Sequence, residues 1–218
     1  MKLTPLLMAL TLGLTAAAPA LARDATFDAR VAGLAHAWDH ANFEVRDKPA
    51  QAAAAAKVAA QADALAHQFP TRAEPLVWEA IALSTEAGAK GGLGGLTLAK
   101  EAKALLERAE HINPAALGDG SVYTSLGSLY AQVPGFPVGF GDPARARAYL
   151  LKGLAADPNG LDSNYFYADF LFRQGQYAAA VKALEKALAA PARPGREVAD
   201  RGRREEARAL LGRARQKT

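Results

Sequence analysis

The sequence predicts an all-α fold, a solenoid of helical hairpins that ends in a C-terminal capping helix. The first observation is a 34-residue period of small, aliphatic and turn residues in the second half of the chain, which is typical of stacked hairpins. The second is that prolines close the two copies, at Pro158 and Pro191. The third is that apolar residues recur at helical spacing in the preceding segments. The residues that recur at the period are Gly141 with Gly175, Ala146 with Ala180, Leu150 with Leu184, and Gly153 with Ala187.

The residues at this period resemble the tetratricopeptide repeat (TPR) family. In the second copy the family pattern is carried by Tyr167, Ala168, Gly175, Tyr177, Ala180, Leu184, Ala187 and Pro191. In the first copy it is carried by Tyr123, Leu126, Gly127, Tyr130, Gly141, Ala146, Leu150 and Pro158. Gly153 stands where the family usually has alanine. The small residues let neighbouring helices approach closely. The resemblance implies a binding or scaffold protein that is not an enzyme and needs no cofactor.

Apolar spacing predicts two further hairpins before this period. Residues 24–44 and 50–69 are expected to form a degenerate N-terminal hairpin, placed at residues 23–70, because Lys48-Pro49 separates its helices and Pro70 ends the second. Pro75 opens the next unit, so TPR-like repeats are expected over residues 75–191. A link at residues 192–195 precedes a charged helix at residues 198–215. We expect the segment 192–218 to cap the last repeat.

Two of the predicted hairpins have turns longer than the family period allows. Residues 88–95 are glycine-rich and are expected to interrupt the hairpin of residues 75–114. Residues 133–140 enlarge the next turn and contain two phenylalanines among prolines and glycines. We expect both insertions to leave the same side of the stack, and Phe136 and Phe140 to contact a partner. The alternative is that both rings fold back and fill the gap between hairpins.

The first helix of each hairpin is expected to line the concave face of the stack. Hydroxyls, carboxylates and a tyrosine on these helices suit a protein or peptide partner, or a small polar ligand. The alternative is an ordinary solvated helix face. The paired lysines and asparagines by which chaperone-binding TPR proteins hold a C-terminal carboxylate are absent from these positions. The candidate binding residues are Glu79, Ser121, Thr124, Ser128, Asp162, Tyr165 and Asp169.

Three other patterns point to no specific chemistry. His36 and His40 are four residues apart on one helix, a spacing that can hold a metal, but the sequence suggests no third ligand and we expect surface or partly packed histidines. The glycines of residues 91–95 lack the preceding strand and following lysine of a phosphate-binding loop. Arg201, Arg203 and Arg204, with the glutamates that follow them, predict a solvated helix surface.

The N-terminal residues predict export. Lys2, the apolar run of residues 6–18 and the small residues on either side of Leu21 have the form of a signal peptide at residues 1–22, cleaved before Arg23. We therefore expect a periplasmic protein, with an uncleaved anchor as the alternative. The chain contains no cysteine, which excludes disulfides and cysteine acylation. The net charge of +4 does not indicate a nucleic-acid groove.

A second resemblance covers the central third of the chain. The run Leu126-Gly127, Tyr130, Pro134 and Gly139-Phe140-Gly141-Asp142 resembles the T component of TRAP-type transporters. Members of that family are helical, TPR-like periplasmic proteins that partner a substrate-binding protein, so the resemblance implies an accessory role in solute uptake. The alternatives are an envelope-assembly adaptor, a small-ligand-binding protein, and an enzyme that uses Asp162, Asp169 or Glu79.

Overall fold

The computed structural model describes residues 18–218, with side chains described from Ala25 onward. The expected signal peptide at residues 1–22 lies largely outside this part, so export stays a prediction. Residues 18–218 form α-helices joined by turns and loops, with no strand among them. The helices are α1 (Ala18–Phe43), α2 (Lys48–Gln68), α3 (Glu74–Lys90), α4 (Gly92–Ile112), α5 (Ser121–Gln132), α6 (Pro143–Ala156), α7 (Leu161–Arg173), α8 (Tyr177–Leu188) and α9 (Glu197–Arg215).

Helices α1 to α8 form four successive hairpins, and each hairpin packs on the next. The alanines and leucines that recur at the 34-residue period lie at the centre of this packing, because small side chains let the helix backbones approach. Gly127 acts in the same way, since a Cβ there would lie 2.6 Å from Leu150 Cγ. The fully buried repeat residues are Ala146, Leu150, Ala180, Leu184 and Ala187. The predicted all-α solenoid of helical hairpins is therefore confirmed.

Helix α2 packs closely on its neighbour because its buried face is rich in alanine. Asp47 caps its start by accepting a hydrogen bond from the Ala50 backbone N–H at 2.9 Å, and Pro49 occupies the first turn, where no backbone donor is needed. The buried face of α2 carries mainly alanines, so α2 and α3 approach each other closely. The buried alanines of α2 are Ala52, Ala55, Ala59, Ala62 and Ala66.

The expected interruption at residues 88–95 does not occur, and this prediction was wrong. α3 continues to Lys90, and only Gly91, with a φ of 64°, separates it from α4. A Cβ on Gly95 would lie 2.6 Å from the Ala87 carbonyl oxygen, so the missing side chain lets the two helices cross closely at their tip. The additional residues lengthen both helices, because packing between them outweighs the low helix propensity of glycine.

The second insertion is a loop at residues 133–142. The Gly141 backbone N–H donates to the Pro134 carbonyl at 2.9 Å, and the Asp142 N–H donates to the Tyr130 carbonyl at 2.9 Å. Asp142 then caps α6 by accepting from the Ala144 and Arg145 backbone N–H groups. The base of the loop is thus held at both ends by backbone hydrogen bonds.

The C-terminal helix α9 contacts the first helix, α1, so the two ends of the solenoid meet. α9 packs against α7 and α8, as a capping helix would, and it also packs against α1. Arg196, the residue before α9, donates from Nε and Nη2 to both carboxylate oxygens of Asp39 at 2.8 and 2.7 Å. Phe43 packs against Gly202, where a side chain would overlap the ring. We call these four residues, with the Glu44–Arg201 ion pair at 3.3 Å, the closure contact.

Candidate functional site

The closure contact turns the concave face into a basin of about 1300 Å³. Its walls are α1, α3, α5, α7 and α9, and the start of α4 and the loop 133–142 form part of its rim. A second cavity of about 530 Å³ shares Trp78, Asp119 and Arg196 with the basin. Residues that line the basin include Trp38, Phe43, Trp78, Thr85, Ser121, Ser125, Ser128, Asp162, Tyr165, Phe166, Arg203 and Glu206.

Arg203 is the central charge of the basin wall. Its side chain is only 7% exposed, and its Nε donates to Asp162 Oδ1 at 2.7 Å while Nη1 donates to Glu206. The guanidinium carbon lies 4.7 Å from the ring centre of Tyr165 and 4.6 Å from that of Phe166. Burial would lower the pKa of Arg203, but Asp162 and Glu206 outweigh burial and raise it. The guanidinium therefore joins α9 to α7 as a permanent charge.

Asp162 lies between two arginines. Arg193 Nη1 donates to its Oδ2 at 2.7 Å, opposite the bond from Arg203. Burial alone would raise the pKa of this carboxyl, but Arg203 and Arg193 lower it to about 2. Arg193 also donates from Nε to Asp200 at 2.7 Å, which ties the link before α9 into the same network. Asp162 is therefore an ionised structural group at neutral pH.

The helix α5 supplies a row of hydroxyl groups. Ser121, Ser125 and Ser128 line the basin and are half-buried, so their hydroxyls are accessible to a ligand. Thr124 differs: it is buried, and its Oγ1 has no hydrogen-bond partner. A Cβ on Gly153 would overlap that oxygen, so the hydroxyl of Thr124 is directed at α6, while Thr124 as a residue also lines the basin. The expected place of Thr124 on the concave face is therefore met, and its role in binding stays a prediction.

Glu79 lies outside the basin, and its predicted place on the concave face was wrong. Trp78 faces the basin, and the next residue of a helix points about 100° away. Glu79 accordingly interacts with charges on α2 and α4. Burial, followed by the nearby Asp63, raises the pKa of Glu79 to about 7.

The other expected residues of α7 do line the basin. Asp169 accepts a hydrogen bond from Arg173 Nε at 2.7 Å, and both residues lie in the basin wall. Tyr165 is half-buried, and burial raises the pKa of its hydroxyl. Six of the predicted residues thus line one surface: Ser121, Thr124, Ser128, Asp162, Tyr165 and Asp169.

The two loop phenylalanines have opposite environments. Phe140 is half-buried, and its ring packs edge-on against the Tyr130 ring with centres 5.7 Å apart. Phe136 is 93% exposed at the tip of the loop. The alternative in which a loop ring folds back onto the hairpins therefore holds for Phe140. Of the two phenylalanines, only Phe136 is free to contact a partner.

Comparison with known proteins agrees with this architecture. A family model described as a tetratricopeptide repeat matches residues 138–200. This match supports a relationship of that part of the chain to the TPR family. The crystal structure of a thermophilic TPR protein from Thermus thermophilus aligns with 88% of this chain and 95% of that chain, at 18% identity and a TM-score of 0.53. A search of curated proteins gave no match.

The arginines of α9 correct another prediction. Within the helical solenoid, α9 takes the place of a further first helix, so one of its faces lines the basin. Arg203 is buried there, and Arg204 donates to the carbonyls of Leu188 and Ala190 at the end of α8, at 3.0 and 2.8 Å. Only Arg201 has the exposed side chain that was expected of all three.

Sequence reasoning missed several residues of the basin. Phe43 was not singled out. Trp38 and Trp78 fall in the apolar sets of their helices and are buried in the core, and both also line the basin, which periodicity alone does not show. Asp119 was not singled out, although it lies just before α5 and accepts the Ser121 backbone N–H at 3.0 Å. Burial raises the pKa of Asp119. An Asp two residues before a helix start was the available signal.

Two further observations concern metals and membranes. His36 and His40 are exposed, and His40 Nδ1 lies 2.9 Å from Glu44 Oε2. Within the described part of the chain, no three His, Asp or Glu side chains are grouped as a metal site. None of the helices described there is both long and apolar enough to cross a membrane.

Proposed function

We propose that this chain is a protein-interaction scaffold whose basin binds an extended segment of a partner protein. The observation that carries the proposal is the closure of the concave TPR face into a basin with a hydroxyl row on one wall and aromatic rings on another. Scaffolding through the concave face is the usual use of helical repeats.

The chemistry of the basin suits a polypeptide. Ser121, Ser125 and Ser128 offer donors and acceptors for the backbone amides of an extended segment. Phe43, Tyr165 and Phe166 are only partly buried and offer apolar contact for its side chains. The volume of about 1300 Å³ exceeds the roughly 300 to 1,000 Å³ of small-molecule sites, which favours a peptide over a small polar ligand.

An enzymatic role has less support from the carboxylates proposed for it. Asp162 is held ionised by two arginines, Asp169 is bonded to Arg173, and Glu79 lies outside the basin. These three groups do not converge on one point where a substrate could react. TPR proteins are generally scaffolds, so binding is the better proposal.

The proposal is tested by filling the basin. Peptides are selected from a random phage-displayed library against the wild-type chain, and their affinities are measured by fluorescence polarisation. Ser125→Trp places a bulky side chain in the basin, whereas Ala148→Trp places it on the exposed face of α6 as a matched control. We expect selected peptides to lose binding to the Ser125→Trp variant only. Equal binding to both folded variants would contradict the proposal.

We also propose that the protein is exported and acts in the cell envelope. The signal-like residues 1–22 support export, and the resemblance to the TRAP-type T component supports a solute-binding protein as the partner. N-terminal sequencing of protein purified from native cells tests export. Mature protein is expected to begin at Arg23, and an intact Met1 would argue for an anchored or unprocessed chain.

A further inference from the structure

An exposed apolar patch lies on the rim of the basin. Leu93 is 81%, Phe136 93% and Val138 60% exposed. The loop that carries Phe136 and Val138 leans on the start of α4, because a Cβ on Gly139 would lie 3.3 Å from Leu96 Cδ1. We call Leu93, Phe136 and Val138 the tip patch.

The loop presents Phe136 on a braced support. The Gly139 N–H donates to the Gly135 carbonyl at 3.1 Å, and the Gly141 N–H donates to the Pro134 carbonyl at 2.9 Å. Phe140 anchors the loop on the other side through its contact with Tyr130. A side chain displayed on an ordered loop loses little conformational entropy on binding.

We propose that the tip patch is a second docking site, which inserts into an apolar pocket of the same folded protein whose segment occupies the basin. This proposal rests on the proposed function. Leu93 and Val138 also line the basin, so a continuous surface runs from the basin over its rim to Phe136. A partner protein whose segment leaves the basin over this part of the rim would therefore contact the tip patch.

The tip patch is too small to be a complete interface, so it is one part of a larger contact. An aromatic side chain buries about 150 to 250 Å². The three side chains of the tip patch together therefore bury a few hundred Å² at about this scale. Stable interfaces bury about 800 Å² on each partner, so this patch alone cannot hold a second copy of the chain. The basin supplies the remaining area.

The charges near the patch favour a protein over a lipid surface. Lys90, the cation nearest to Leu93 in sequence, has its Nζ 2.6 Å from Glu86 Oε1. Arg145, the cation nearest to Phe136 in sequence, has its Nε 3.7 Å from Asp142 Oδ2. Both cations are paired with carboxylates, whereas attraction to anionic lipid depends on clustered free cations.

The test places a photo-crosslinking benzoyl-phenylalanine in the full chain in native cells, at Phe136, at Ser125 in the basin, or at Leu151 as an exposed apolar control on α6. Crosslinked proteins are identified by mass spectrometry. We expect one and the same protein from Phe136 and Ser125, and not from Leu151.

With that protein purified, Phe136→Ala is expected to weaken its affinity for the chain about tenfold, and Leu151→Ala to leave that affinity nearly unchanged.

The outcomes separate the two proposals. A crosslink from Ser125 alone overturns the second docking site and leaves the proposed function standing. The absence of a crosslink from Ser125 overturns both. A crosslink from Phe136 to a second copy of the chain, or binding of the wild type but not Phe136→Ala to phosphatidylglycerol vesicles, overturns the protein pocket as the occupant.

Discussion

At the scale of single residues, paired charges hold the basin wall in place. Asp162 contributes through the bonds it accepts from Arg203 and Arg193, and these bonds are ion pairs only while it is ionised. Its pKa is lowered from 3.8 to about 2 in the folded chain. The folded state is therefore stabilised by this group above pH 4, and that stabilisation is lost as the pH falls towards 2.

The pH dependence of Asp162→Asn tests this role. We expect the variant to unfold more readily than the wild type at pH 6, because both arginines lose a charged acceptor. The difference between the two free energies of unfolding should shrink as the pH falls from 4 to 2. Urea unfolding at several pH values measures it. A difference that does not vary with pH would contradict the assigned ion pairs.

Thr124 and Gly153 explain a departure from the family pattern. The family usually has alanine at the position of Gly153, and here the threonine on the facing helix takes up that space. Its hydroxyl is buried without a partner, so removing it costs little. The two residues are a matched pair.

The pair makes a specific prediction. Gly153→Ala is expected to destabilise the chain by about 1 to 3 kcal/mol through overpacking. Thr124→Ala alone should be nearly neutral, and the double variant should recover most of the loss. The free energies of unfolding of all four proteins give the coupling between the sites. Additive effects would show that the two side chains do not meet.

At the scale of helices, the repeat register could be predicted because its determinants are small buried residues at a fixed period. The tip of the α3–α4 hairpin could not, since local propensity marks glycine as a breaker and only tertiary packing shows why it stays helical. The basin residues Ser121, Ser128 and Asp162 followed from the register. Glu79 did not, because a one-residue error in helix phase turns a side chain by about 100°.

Ala180 tests the register of the last hairpin. It is fully buried in α8, so Ala180→Leu should destabilise the chain by about 1 to 3 kcal/mol. Ala179→Leu is the matched control, because Ala179 is exposed on the same helix and should tolerate the change. Thermal and urea unfolding compare them. A neutral result at Ala180 would place the wrong face of α8 in the core.

At the scale of the whole molecule, the closure contact decides the shape of the site. Asp39 and Arg196 are 157 positions apart, and a repeat pattern carries no information about where its ends lie. The sequence therefore predicted a concave groove and gave no information on whether its ends meet. The curvature that brings α9 to α1 depends on the summed packing angles of all the hairpins.

Breaking the Asp39–Arg196 ion pair is expected to lower the free energy of unfolding by as much as breaking a buried ion pair does. Arg196→Met leaves the Asp39 carboxylate, 3% exposed, without its partner and should cost about 3 to 5 kcal/mol. The double variant Asp39→Leu/Arg196→Met should recover much of that loss. Chemical unfolding measures both. If Arg196→Met is as stable as the wild type, the pair does not close the solenoid in solution.

Disulfide trapping across the closure contact tests the central claim most directly. A Cβ on Gly202 would lie 2.9 Å from Phe43 Cβ, and a shift of under about 1 Å reaches disulfide geometry. The chain has no cysteine of its own, so Phe43→Cys/Gly202→Cys carries only the two test thiols. The control Phe43→Cys/Gly212→Cys places the second thiol nearly three turns further along α9. A closed solenoid predicts rapid, complete oxidation within the monomer for the first pair only. Thiols that stay free, or pair no faster than in the control, would show that the ends are apart and the concave face is an open groove.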